Sequence, residues 1–200
     1  MNISIECVTS CTEAACQVRR EVFGREWHAA LPDLNQYAPE RQVTLVAHDC
    51  SSHEPIAVLT VLETTGEEHL HARLGLSFFH DERVARYTQL AVLKPYRGLN
   101  LPVRLILEAH RTFVRPKEIR YTWLLFDAAR ARTSSLCQLL GFSASSRRFL
   151  TEYGCSRALT RDESTMQARS CDRTAQSWVD GEGYASFARP IAVGARGARW

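Results

Sequence analysis

QLAVLKPYRGLNLPVRLILEA, residues 89–109, is the stretch that decides how this 200-residue chain folds. Its first part closes a β-rich run, VARYTQLAVL (84–93), which stops at Lys94-Pro95-Tyr96-Arg97-Gly98, where the turn chemistry changes. Helical spacing follows at once in Leu101, Val103, Leu105, Ile106, Ala109 and Phe113, with Asn100 as N-cap and Pro102 near the helix start, where a missing N–H costs little. Strand, loop and helix in that order aim free backbone amides and the positive end of a helix dipole at one spot. That geometry binds phosphate.

Working outward, residues 2–8 alternate like a half-buried strand, and Ser10 with Glu13 forms a capping box opening a helix whose apolar face is Cys11, Ala15, Val18 and Val22. Gly24 marks its end, and residues 28–42, with Pro32 and Pro39, read as a long loop. Val43–His48 and Ile56–Leu62 form a hairpin around DCSSHE. Downstream, IRYTWLLF (119–126) is a strand, 130–140 a helix closed by Gly141, and 142–150 a further strand. Beyond Arg161 the residues turn polar and small, and FARPIAV reads as a short returning strand. The expectation is one α/β domain over 1–160 with a partly irregular extension over 161–200.

Composition narrows the function. With 45% apolar and 24% charged residues, the chain is globular. Its formal charge of +3 is spread along the chain, which argues against nucleic acid as a partner. No apolar run reaches the roughly 20 residues of a membrane span. The cysteines Cys7, Cys11, Cys16, Cys50, Cys137, Cys155 and Cys171 are odd in number and scattered, and no signal peptide precedes them, so a reducing cytoplasm with free thiols is expected. No Cys or His spacing suits a metal, so none is expected. His69 and His71 alternate around Leu70, and Phe78-Phe79 reads as core or as an acyl-pocket lining.

Residues 89–109, followed by a second strand, a helix and LCQLLGF (136–142), resemble the GNAT superfamily of acyltransferases, whose motifs run from a strand into an R-x-x-G-x-G/A loop and later end in GF. The resemblance covers residues 3 to about 150. It implies a mixed, mostly antiparallel central sheet flanked by helices and splayed at the donor-binding strand. It also implies an acyl thioester co-substrate, acyl-CoA or the phosphopantetheine of acyl carrier protein, held by Leu90, Ala91, Val92, Arg97, Gly98, Leu99, Asn100, Leu101 and Arg104. Asn100 and Pro102 replace the two loop glycines, and proline supplies no N–H. Cys137 stands where relatives carry the tyrosine that protonates the departing thiolate.

Arg19-x-x-Val22-Phe23-x-x-Glu26, with Trp27, is similar to the first helix of GNAT enzymes and to the acyl-homoserine-lactone and N-acyl amino acid synthases, which take long acyl chains from acyl carrier protein. The resemblance thus implies N-acyl transfer to a small-molecule amine by direct attack. Cys137 is the expected acid and Glu82 the expected base, with Glu26 the second choice of base. Glu26, Trp27 and Tyr87 are expected on the acceptor side, with the loop 28–42 as its wall. A GNAT-shaped binding module without catalysis is the alternative, and the oligomeric state stays open.

Overall fold

The computed structural model describes residues 2–9, 12–28, 37–65, 76, 82–127, 137–138, 140–151 and 154–163. These contain seven strands: β1 (Ile3–Val8), β2 (Gln42–Asp49), β3 (Pro55–Thr65), β4 (Arg83–Val92), β5 (Tyr121–Asp127), β6 (Ser143–Thr151) and β7 (Gly154–Asp162). They form one sheet in the order β1-β2-β3-β4-β5-β7-β6. Every pairing is antiparallel except β4 with β5, which is parallel. Crossing from β4 to a parallel neighbour needs a helical connection, and the helix after the phosphate-type loop supplies it.

Both faces of the sheet are covered. Helix α1 (Glu13–Arg19) continues in wider turns through Glu26 and packs Ala15, Val18, Val22 and Phe23 on Val46, Val58 and Ala91. Helix α2 (Leu101–Ala109), continuing in wider turns to Val114, lays Leu101, Leu105, Ile106, Ala109 and Phe113 on the opposite face, against Leu45, Ala57, Leu59, Tyr87, Leu124 and Leu159. This explains why β2 and β3 are almost continuously apolar rather than alternating. Each fully buried Leu, Ile or Val contributes about 1.5–3 kcal/mol of transfer free energy. Arg19 is buried under α1, its guanidinium donating to Thr60 Oγ1 at 2.5 Å and Thr44 Oγ1 at 3.4 Å.

The strands at 2–8, 43–48, 56–62, 84–93, 119–126 and 142–150 stand where they were expected, within a few residues. Three details differ. The first helix is capped by Thr12, whose Oγ1 accepts from Ala15 N at 3.3 Å. Glu13 is therefore the first helical residue and cannot serve as the third residue of a box with Ser10; Ser10 and Cys11 lie outside the described residues. Asn100 occupies the N-cap position with a left-handed backbone, φ 58°, and makes no side-chain cap bond. Finally, β7 was not anticipated, because two arginines in its sequence, Arg157 and the buried Arg161, break the alternation that marks a strand.

Gly141 closes its helical turn as expected: φ is 83°, and Phe142 N donates to Cys137 O at 2.9 Å. Most of the 130–140 helix, the acceptor-wall residues 29–36, His69, His71, Phe78, Phe79 and the extension from 164 onward lie outside the described residues.

Candidate functional site

Strand β4 is deformed where the sequence motif begins. Against β3, Val58 faces Ala91 but Thr60 faces Thr88, so β4 carries one extra residue there, and Gln89 takes φ 52° to absorb it. Against β5, the parallel register runs from Val84↔Tyr121 to Tyr87↔Leu124 and stops. Beyond Leu124, β5 continues to Asp127 paired only with β7. The two strands therefore part after Tyr87, leaving an opening with Thr88–Val92 as one wall.

The backbone direction along that wall follows from one bond. Leu93 N donates to Ile56 O at 2.9 Å, so Leu93 faces β3, and Ala91, two residues away, does too. Leu90 and Val92 then turn their N–H and C=O groups toward the opening. Val92 O indeed accepts from Arg97 Nε at 3.1 Å, outside the sheet.

After a short helical turn, Lys94–Tyr96, the chain passes through Arg97 and Gly98, whose φ of 97° suits glycine alone, then through Leu99, which is 43% exposed, and left-handed Asn100. Asparagine is the side chain that best tolerates that backbone, which is why it can stand where a glycine is expected. Arg104 N makes the bond to Asn100 O, at 3.1 Å, that begins the helical ladder. The first-turn amides of Leu101 and Val103 precede that ladder, and Pro102 between them supplies none.

Arg97 also joins this loop to α1. Its Nη1 and Nη2 donate to the two carboxylate oxygens of Glu26 at 2.7 and 2.5 Å, and Trp27 Nε1 donates to Glu26 Oε1 at 3.3 Å. Trp27 in turn stacks edge-on to Phe23 at 5.1 Å. The Arg97 guanidinium holds the Glu26 carboxyl below the usual carboxylate range, and Glu26 raises Arg97. With the two side chains 39% and 36% exposed, the pair contributes only about 0–1 kcal/mol. The structure thus brings Glu26, Trp27, Arg97 and Leu90–Val92 together at one end of β4.

Of the other expected site residues, Glu82 stands apart, and Tyr87 and Cys137 are buried. Glu82 lies at the other end of β4, about 20 Å of strand from Thr88, and pairs with Arg120 Nη1 at 3.1 Å. Tyr87 is 4% exposed and points into the α2-side core, where its hydroxyl accepts from Arg161 Nη2 at 3.4 Å and its ring meets Phe142 edge-on at 6.1 Å. Burial raises its hydroxyl far above the usual phenol range. Cys137, 4% exposed, belongs to the same core, and burial pushes its thiol up to about 11 against the opposing effect of Arg161. The thiol is therefore protonated at neutral pH.

A buried polar cluster that the sequence did not reveal lies beside these two residues. Arg161 Nε donates to Glu163 Oε1 at 2.8 Å and Nη1 donates to Leu140 O at 3.1 Å, with the guanidinium 4.6 Å over the Phe142 ring. Thr122 also donates to Glu163, whose other oxygen is 3.3 Å from His110 Nε2. Charged residues near a chain's polar tail read as solvated; only their pairing here makes burial tolerable.

Among the described residues, no group of three or more His, Cys, Asp or Glu side chains could hold a metal ion, and no helix is long and apolar enough to cross a membrane.

No family model matches the sequence, and no curated protein matches it by sequence. Solved structures do match the fold. An N-acyl amino acid synthase, FeeM, from uncultured soil microbes aligns with a TM-score of 0.65 at 13% identity, covering 88% of this chain and 97% of that one. Arabidopsis thaliana NAA60 in complex with acetyl-CoA gives 0.59 at 17% identity, over 80% of this chain and 98% of that one. An acyl-CoA N-acyltransferase from Pseudomonas aeruginosa gives 0.58 at 17%, over 80% and 99%. The chain has the α/β fold of the GNAT acyltransferases.

Proposed function

We propose that this GNAT-fold chain is an N-acyltransferase that moves an acyl group from a thioester donor, acyl-CoA, directly to a small-molecule amine. The observation that carries the reading is the parting of β4 from β5 after Tyr87, with the backbone of Leu90 and Val92 facing the opening and the Arg97–Leu101 loop leading from it to the start of α2. Leu90 and Val92 offer peptide groups to the amides of a pantetheine arm, and the loop amides with Arg97 and Arg104 offer donors to its phosphate.

In the reaction the neutral amine attacks the thioester carbonyl. The C–N bond forms, a backbone N–H of the parted strand takes the oxyanion, and the C–S bond breaks as Cys137 gives its proton to the leaving thiolate. Glu82, about 20 Å of strand from Thr88, is given no part in the step; the amine's proton passes to water at the opening, and water returns a proton to Cys137. We assign this chemistry to residues 1–160, with 161–200 as an extension, working in a reducing cytoplasm.

Release of free thiol from acetyl-CoA, a long-chain acyl-CoA and an acylated carrier protein, each with a panel of amines, tests the reading. Midpoint shifts with the same donors separate binding from turnover. Binding without thiol release supports the noncatalytic module instead. A long-chain donor on acyl carrier protein with an amino-acid-like amine is the second reading, favoured by the 0.65 match to the N-acyl amino acid synthase and by Pro102, which removes an amide from the phosphate loop.

A further inference from the structure

Nε, Nη1 and Nη2 of Arg97 are all engaged: Nε on Val92 O at 3.1 Å, and the other two on the Glu26 carboxylate at 2.7 and 2.5 Å. Val92 O is one of the backbone acceptors that face the opening, so the guanidinium stands at the edge of that opening. A carboxylate and a phosphate bind guanidinium by the same planar, two-point geometry. Glu26 and a donor phosphate are therefore competitors for one cation.

We propose that Glu26 tunes the donor affinity of this site: its carboxylate competes with the donor's phosphate for Arg97, so that a donor bearing phosphate must displace it while a phosphate-free thioester is indifferent to it. The proposal rests on the donor reading above and deepens it. The ion pair is partly exposed on both sides and correspondingly weak, which suits a contact that a ligand must exchange. Lys94, whose charge also reaches Glu26, adds to the positive field that draws the phosphate.

Calorimetric titration of the full chain and of Glu26→Gln with coenzyme A, phosphopantetheine and pantetheine is the test. Glu26→Gln removes the competing charge and should tighten the first two by about two- to fivefold while leaving pantetheine unchanged. The gain should vanish when Arg97→Gln is present in both proteins of the comparison, because the effect runs through that guanidinium. Equal coenzyme A binding by wild type and Glu26→Gln overturns the competition and leaves the donor reading standing. Equal tightening of pantetheine, or a gain that persists with Arg97→Gln, also overturns it, since Glu26 then acts by bulk or by general field. Failure of both proteins to bind coenzyme A overturns the donor reading itself.

Discussion

Asn100 shows how one residue can depart from a motif and still serve it. Its φ of 58° costs most side chains about 1–2 kcal/mol, asparagine less and glycine nothing. Asn100→Ala is expected to lose about 1 kcal/mol in urea denaturation, and Asn100→Gly to stay within a few tenths. Cys137 is legible as the acid position from LCQLLGF but its environment is not; only the fold puts Arg161 beside it and buries it. Cys137→Ala should lower turnover by about 10²-fold with little change in donor affinity, whereas near-normal turnover makes the residue packing alone.

His110 offers a pH test at the same scale. Burial lowers it, with Glu163 opposing. Because the folded value lies below the ordinary 6.5, the unfolded chain binds the proton first, so this part of the stability is complete above 6.5 and is lost as pH falls below it. His110→Gln should therefore lose less stability than wild type between about pH 7 and pH 5.

The elements themselves were mostly legible, because alternation and 3.6-residue spacing are local properties of residues such as Val43–His48 and Leu101–Phe113. The parting of β4 from β5 was expected only through the GNAT resemblance, and the bulge at Gln89 was not: both depend on register between segments far apart in sequence. For the same reason, Glu82 looked adjacent to the site in the chain but stands a strand length away. Within α2, Pro102 is the element's own test. Pro102→Ala restores one first-turn N–H, and a bond from it to a charged phosphate should tighten coenzyme A by roughly tenfold in calorimetry. Unchanged binding with circular dichroism intact means that this amide does not face the phosphates. The join of β3, β4 and the turn after α2 rests on Glu63, which meets Lys117 Nζ at 2.6 Å and Arg83 Nη2 at 2.5 Å. Burial pushes that carboxyl up, but the two cations outweigh it and leave it below 4.5, so its stabilisation exists above 4.5 and disappears as pH falls. Glu63→Gln should be less stable than wild type at neutral pH, and the difference should shrink as pH falls below 4.5.

At the scale of the molecule, the sheet has two parts of different character. Strands β1 to β4 pair with their sequence neighbours, while β5 receives β7 on one side and meets β4 through four residue pairs on the other. β6 reaches the sheet only through β7, to which it is joined at Thr151↔Gly154. The last of the described strands in sequence thus sits inside the sheet, and this bears on how the chain is made. While the ribosome is still adding residues before 154, β5 has an open edge and β6 has nothing to pair with, so unpaired strands are exposed until β7 has been made. A chain stopped at residue 152 should accumulate in the insoluble fraction, while one stopped at 164, which retains all seven strands, should be recovered soluble with a cooperative melt. Slowing translation just after β6 should likewise lower the soluble yield of the whole protein, whereas a pause after β4 leaves a neighbour-paired meander and should have little effect.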